Sequence, residues 1–229
     1  MEALEKLIWT MADSQMIMGH RMSEWTGLGP VLEEDIAFAS LAQDKIGHAL
    51  ALYTLLQEEM GAQDPDTIAF SRKPAEWMNP ILAEIYSKDY AFDMVRHFMM
   101  DHLMALRVEK LRNSTNTKLA QLAHKFHAEI KYHLMHADIW MKNFGLGTQE
   151  GKLRIQSALR QAFEYAENLF IEGEDDLKEL WKEKIENLLK EFGFEMPELG
   201  DKGQEHTEDL LLLLSEMTEV YNIEPSAQW

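Results

Sequence analysis

Apolar side chains recur at a helical period of about 3.6 residues along nearly the whole chain, and this limits its fold more than any other feature. No alternating β-branched run competes with it. The six prolines and twelve glycines gather where the period breaks. An all-α fold is therefore predicted. The first helix is expected from about Glu2 to Trp25, stopped by Gly27 and Gly29 with Pro30 beyond. The second opens at Pro30, a favoured first-turn residue, and runs to about Met60 before Gly61. After a polar loop, the stretch R-K-P-A-E-W-M-N-P carries Pro74 and Pro80 and is expected to wrap the outside. Helices follow from about Lys88 to Leu111 and Lys118 to Asn143, with the turn R-N-S-T-N-T between them. Later helices are expected over about Gln149 to Ile171, Asp175 to Phe192 and Thr207 to Tyr221.

Four long helices in two antiparallel pairs, joined by a long connection, predict a ferritin-like four-helix bundle. Helices of ~25 residues are roughly 37 Å long, the scale of such a bundle. No composition break divides the chain. One domain over 1–229 is expected, with the core bundle over about 2–143 and peripheral helices over about 149–222.

Composition narrows the function classes. Hydrophobic residues make up 46% and charged residues 27%, as in a soluble globular protein. Charges interrupt every apolar run well short of the ~20 residues that a membrane span needs. The start, M-E-A-L-E-K-L-I-W, lacks the basic region and cleavage site of a signal peptide, so a cytoplasmic location is expected. With no cysteine, disulfides and thiolate ligands are excluded. A net charge of -18 disfavours nucleic-acid or anionic-membrane binding and suits a basic protein partner. Fifteen Met and six Trp suit an adaptable core or a protein contact, including self-association. Met16, Met18, Met94, Met99, Met100 and Met104 are most simply core, and Glu33, Glu34 and Asp35 suit the positive end of the second helix.

Di-iron carboxylate bundles take an acid from one helix of each pair and Glu-x-x-His from its partner. Here the first helix carries Asp13, and the second carries Asp44, Lys45 and His48. The third carries Asp101, and the fourth carries Glu129, Ile130 and His133. The two halves look like a duplicated two-helix unit. Both positions three residues before a histidine are non-acidic, however: Lys45 and Ile130 stand where bridging carboxylates are expected. Asp44 and Glu129 lie four before their histidines, which turns each by about 100° from the ligating position. They would ligate only in rotated or bulged helices. The other reading is a buried polar network, with Lys45 paired to Asp13 or Asp101 and acids bonded to the histidines. His97, His102, His124, His127 and His136 are read as partly exposed or capping residues. No Gly-rich phosphate loop or nucleophile elbow occurs.

Several stretches resemble one family. They are R-M-S-E-W-T-G at 21–27, D-P-D-T-I-A-F-S-R at 64–72, A-E-I-K-Y-H-L at 128–134, and the tail G-D-K-G-Q-E-H-T-E-D-L with the final Q-W. The similarity covers nearly the whole chain and is to the C subunits of the phenylacetyl-CoA ring-epoxidase complex. It implies a subunit of a bacterial multicomponent monooxygenase that makes a ring 1,2-epoxide from dioxygen and reductase electrons. The resemblance further implies a structural role beside a catalytic A-type subunit that holds the di-iron centre and the substrate. No metal or other cofactor is then expected in this chain, in agreement with Lys45 and Ile130. His48 departs from the family, which commonly has glutamine there. With Asp13, Asp44, Asp101, Glu129 and His133, it leaves a ligand-type set that keeps a partial metal site open. A di-iron oxygenase in its own right is the alternative, and iron storage is disfavoured by the broken motifs. Local contacts to a CoA thioester are conceivable only at Arg72, Lys73 and Lys202.

Overall fold

The computed structural model describes residues 3–203 and 205–224, so Met1, Glu2, Gln204 and the final Gln228-Trp229 of the resemblance lie outside it. Among the described residues there are ten α-helices and no strand. Four are long: α1 (Ala3–Ser23), α2 (Leu32–Met60), α5 (Tyr90–Leu111) and α6 (Thr117–Leu146). The connection holds α3 (Pro65–Ser71), a single 3-10 turn (Pro74–Glu76) and α4 (Ile81–Glu84). The C-terminal part holds α7 (Gln149–Phe163), α8 (Asp175–Phe192), α9 (Glu208–Met217) and α10 (Glu219–Ile223). α1 packs along α2, α5 packs along α6, and the two pairs meet to form the predicted all-α, ferritin-like bundle. No helix among the described residues is long and apolar enough to cross a membrane.

Local signals set several helix ends. α2 stops at Gly61, whose φ of 73° is left-handed and whose N–H returns to Leu56 O. Asn116 caps α6 by accepting from Leu119 N, and Thr148 caps α7 by accepting from Gly151 N. α6 runs past the expected stop at Asn143 to Leu146. A side chain at Gly145 would meet Phe192 O at 1.9 Å, so glycine lets the end of α8 touch α6. One boundary falls well short of its expected place. α7 ends at Phe163, and a 3-10 turn covers Ala166–Leu169. Its last carbonyls are taken by the tail: Gly200 N donates to Phe163 O at 2.8 Å, and Lys202 N donates to Glu164 O at 2.8 Å.

α1 and α5 are buried on nearly every side. From Thr10 to Gly19, α1 has no exposed residue. α5 lies against α6, α7 and α8. Buried along it are the expected core residues Met94, Met99, Met100 and Met104.

Buried polar clamps fasten the outer segments. Asp13 accepts from Tyr53 Oη at 2.6 Å, Arg72 Nη2 at 2.6 Å, Arg72 Nη1 at 3.0 Å and Met78 N at 2.8 Å. The Arg72 guanidinium stacks 4.2 Å from the Trp77 ring and 5.1 Å from Trp9. This ties the wrapping segment to α1. Arg72 is thus committed within the fold and is no free contact for an anion. Lys202 is paired with Glu164 and lies over the Tyr165 ring.

A second clamp fixes the tail. Glu84 is fully buried and accepts from Asn79 Nδ2, Thr207 N and Thr207 Oγ1 at 2.8, 2.6 and 2.9 Å. His206 Nδ1 lies 2.7 Å from Glu84 Oε2, and its Nε2 lies 2.8 Å from Trp77 O. Both neighbours only accept, so both ring nitrogens donate and the ring is an imidazolium. Burial opposes that charge, but Glu84 and the Trp77 carbonyl outweigh it and raise the His206 pKa. The raised pKa makes this contribution to stability complete below about pH 6.5 and lost as pH rises through the folded value. His206→Gln should therefore cost most stability in mildly acidic buffer and progressively less in alkaline buffer. Urea unfolding of both proteins across that range checks this; a gap that widens with pH would contradict it.

Candidate functional site

The bundle centre brings together residues of α2, α5 and α6. Lys45 and Asp101 are both fully buried and form an ion pair through Nζ and Oδ1. His97 Nδ1 lies 2.6 Å from Asp101 Oδ2 in poor hydrogen-bond alignment, and His133 Nδ1 lies 3.8 Å from the same oxygen. Burial opposes ionisation of Asp101, but Lys45 and then His97 outweigh it and hold its pKa well below the usual carboxylate range. Burial lowers the His97 pKa to about 4 against the pull of Asp101, so its ring is neutral near pH 7. The positive charge opposite Asp101 is therefore that of Lys45.

Asp44 and Glu129 do not reach this centre. The four-residue spacing sends each across the α2–α6 seam to the histidine of the other helix. Glu129 Oε2 lies 2.7 Å from His48 Nε2, and Asp44 Oδ2 lies 3.3 Å from His133 Nε2. The histidines are buried, whereas the Asp44 and Glu129 side chains are 49% and 34% exposed. Burial lowers the His48 pKa to about 4 although Glu129 opposes it, so Glu129 faces a neutral ring near pH 7.

Of the six sequence candidates, five join two linked groups and Asp13 stands apart in the Arg72 clamp. Lys45 chooses Asp101, so its alternative pairing with Asp13 is ruled out. The reading of His97 and His102 as partly exposed or capping also needs correction, whereas His136 is partly exposed. His97 and His102 are buried, and His102 Nε2 lies 2.9 Å from Asp138 Oδ1. His97 Nε2 lies 3.2 Å from His136 Nδ1, and His136 Nε2 lies 2.9 Å from Glu34 Oε2. Tyr90 donates to Glu34. A polar chain thus runs from Asp101 to the N-terminal end of α2. Glu34, expected to serve the helix dipole, is its buried terminus. The four-residue spacing of His97 and Asp101 on α5 is a local signal for this chain, and nothing local pointed to Glu34 or Tyr90.

This donor set does not fit the two-metal cluster of a ferritin-like oxygenase. Such a cluster needs inward carboxylates bridging two cations. The ammonium of Lys45 holds the central carboxylate and repels a cation nearby. Ile130 is buried and offers no donor. Asp13 is fully used elsewhere, and Asp44 and Glu129 sit at the rim. Among the described residues no three His, Asp or Glu side chains group in a way that could hold a metal ion. His48 Nδ1 and His133 Nδ1 are buried without a hydrogen-bond partner. His97 Nδ1 and Asp101 Oδ2 share that state, and Lys45 acts on His48 as a repelling positive charge.

The Lys45–Asp101 pair has a testable energetic signature. Removing one partner strands the other charge in the core, which typically costs about 3–5 kcal/mol, whereas replacing both with apolar groups costs far less. Lys45→Met should lose several kcal/mol in urea unfolding, and Lys45→Met with Asp101→Leu should recover much of that loss. Equal or greater loss in the double variant would contradict the assignment.

A family model described as phenylacetic acid catabolic protein matches residues 1–229. The curated C subunit of 1,2-phenylacetyl-CoA epoxidase from Escherichia coli (strain K12) is 26% identical over 238 aligned residues, covering 96% of this chain and 96% of the relative. The chain belongs to the phenylacetic acid catabolic protein family.

Proposed function

We propose that this chain is the structural, non-catalytic subunit of a multicomponent phenylacetyl-CoA ring epoxidase in aerobic phenylacetate degradation. It pairs with a catalytic A-type subunit, which holds the di-iron centre and the substrate, and it carries no metal itself. Its place is the cytoplasm. The observation that supports this most is the buried Lys45–Asp101 pair at the middle of the bundle. It supplies a fixed positive charge where a ferritin-like oxygenase needs metal cations. Near-complete overlap with the C subunit of an epoxidase supports the assignment to the complex. The commitment of Arg72 to Asp13, together with a net charge of -18, argues against an anionic CoA site on this chain.

The test is metal analysis of the protein purified from iron-replete cells, beside its catalytic partner from the same cells. Iron far below one ion per chain is expected here, with about two per chain in the partner. Stoichiometric iron in this chain would favour the reading in which it is itself an oxygenase.

A further inference from the structure

The α2–α6 seam has an outer side that the fold leaves uncovered. Residues 44 and 48 of α2, and 129 and 133 of α6, reach across the seam. Each next residue turns by about 100° inward, where Lys45, Ala49 and Ile130 are buried and Leu134 is partly buried. Each preceding residue turns the other way. Because the helices are antiparallel, Gln43 and Gly47 therefore share one outward face with Ala128 and Tyr132, and none of the four is buried.

That face has a repeat the bundle itself does not use. Along α2, Ile36, Gln43 and Leu50 recur every seven residues, and so do the small residues Ser40, Gly47 and Thr54. Along α6, Tyr132, Ile139 and Leu146 recur every seven. Ile36, Leu50, Ile139 and Leu146 are all exposed, and Tyr132 is 68% exposed. Seven-residue spacing keeps a stripe on one side of a helix with only ~20° of drift per repeat, which suits another long helix lying along it. Gly47 has open space where a side chain would stand, and this lets a partner backbone approach closely.

Charge selects the occupant. Asp44 and Glu129 sit beside Gly47 and Tyr132 at the middle of this face. Their nearest partners are histidine rings, and Lys125 lies 3.9 Å from Glu129 at the edge of the cluster. A second copy seated about a twofold axis would bring these acids against themselves. A helical partner with heptad-spaced apolar residues and a central Arg or Lys would cover the stripe and pair the acids.

We propose that this α2–α6 face docks a long-helix surface of the catalytic subunit, one carrying a cation opposite Asp44 and Glu129. The inference rests on the pairing stated under Proposed function and assigns its location. Association is measured by titrating the separately purified catalytic subunit with wild type, Gly47→Gln, Tyr132→Glu and, on α8, Leu180→Glu. Gly47→Gln adds bulk only into open space, so the circular dichroism should match wild type and the melting temperature should match or exceed it. Gly47→Gln and Tyr132→Glu should each weaken association at least about tenfold, Leu180→Glu should not, and rising salt should slow wild-type association. Wild-type affinity in both face variants would overturn the docking face while leaving the pairing intact. A wild-type chain that does not bind the catalytic subunit would overturn the pairing itself. Self-association lost in the same two variants would assign the face to a second copy and overturn the proposed occupant.

Discussion

A lysine ammonium and an aspartate carboxylate meet where four long helices bury everything around them. Lys45 and Asp101 are both inaccessible, and neither charge is tolerable there without the other. Their pairing ties α2 to α5 across the bundle and fixes how the remaining polar groups can be used. Asp101 is held ionised, His97 is left neutral beside it, and the chain through His136 ends on Glu34. The centre is balanced by the protein's own charges. Around the Lys45–Asp101 pair, Asp101 Oδ2 and the Nδ1 atoms of His48, His97 and His133 are buried without a hydrogen-bond partner.

The outer clamps extend the same principle. Arg72 on Asp13, Arg107 on Glu174, and His206 with Thr207 on Glu84 each pair a buried acid with a group from a distant segment. Arg21 adds a link from α1 to the Glu84 and Asp209 carbonyls. Most stretches that carry the family resemblance fall in these contacts. Arg21 and Glu24 pair within the first stretch, Asp64 caps α3 by accepting from Thr67 N, and His206 and Thr207 hold the tail. In this chain those motifs hold segments in place.

The long helices were legible because their periodicity and their Gly, Pro and Asn boundaries are local signals. The α7 stop was not, since the groups that end it come from Gly200 and Lys202 in the tail. The non-acidic positions Lys45 and Ile130 were readable from spacing alone. The choice of Asp101 over Asp13 was not, because Arg72 in the connecting segment claims Asp13. The crossed pairs of His48 with Glu129 and His133 with Asp44 depend on how α2 and α6 are set against each other, which a single-helix reading does not contain. His97 was underrated for the same reason: its surroundings are built by α2 and α6.

The central claim is that an internal ammonium stands where a cluster of this fold would hold cations. Crystals grown with ferrous iron in excess, measured at the iron absorption edge, test it most directly. The account predicts no anomalous density within the bundle and an intact Lys45–Asp101 contact. An iron peak bounded by Asp44, His48, Glu129 and His133, with Lys45 displaced, would contradict it.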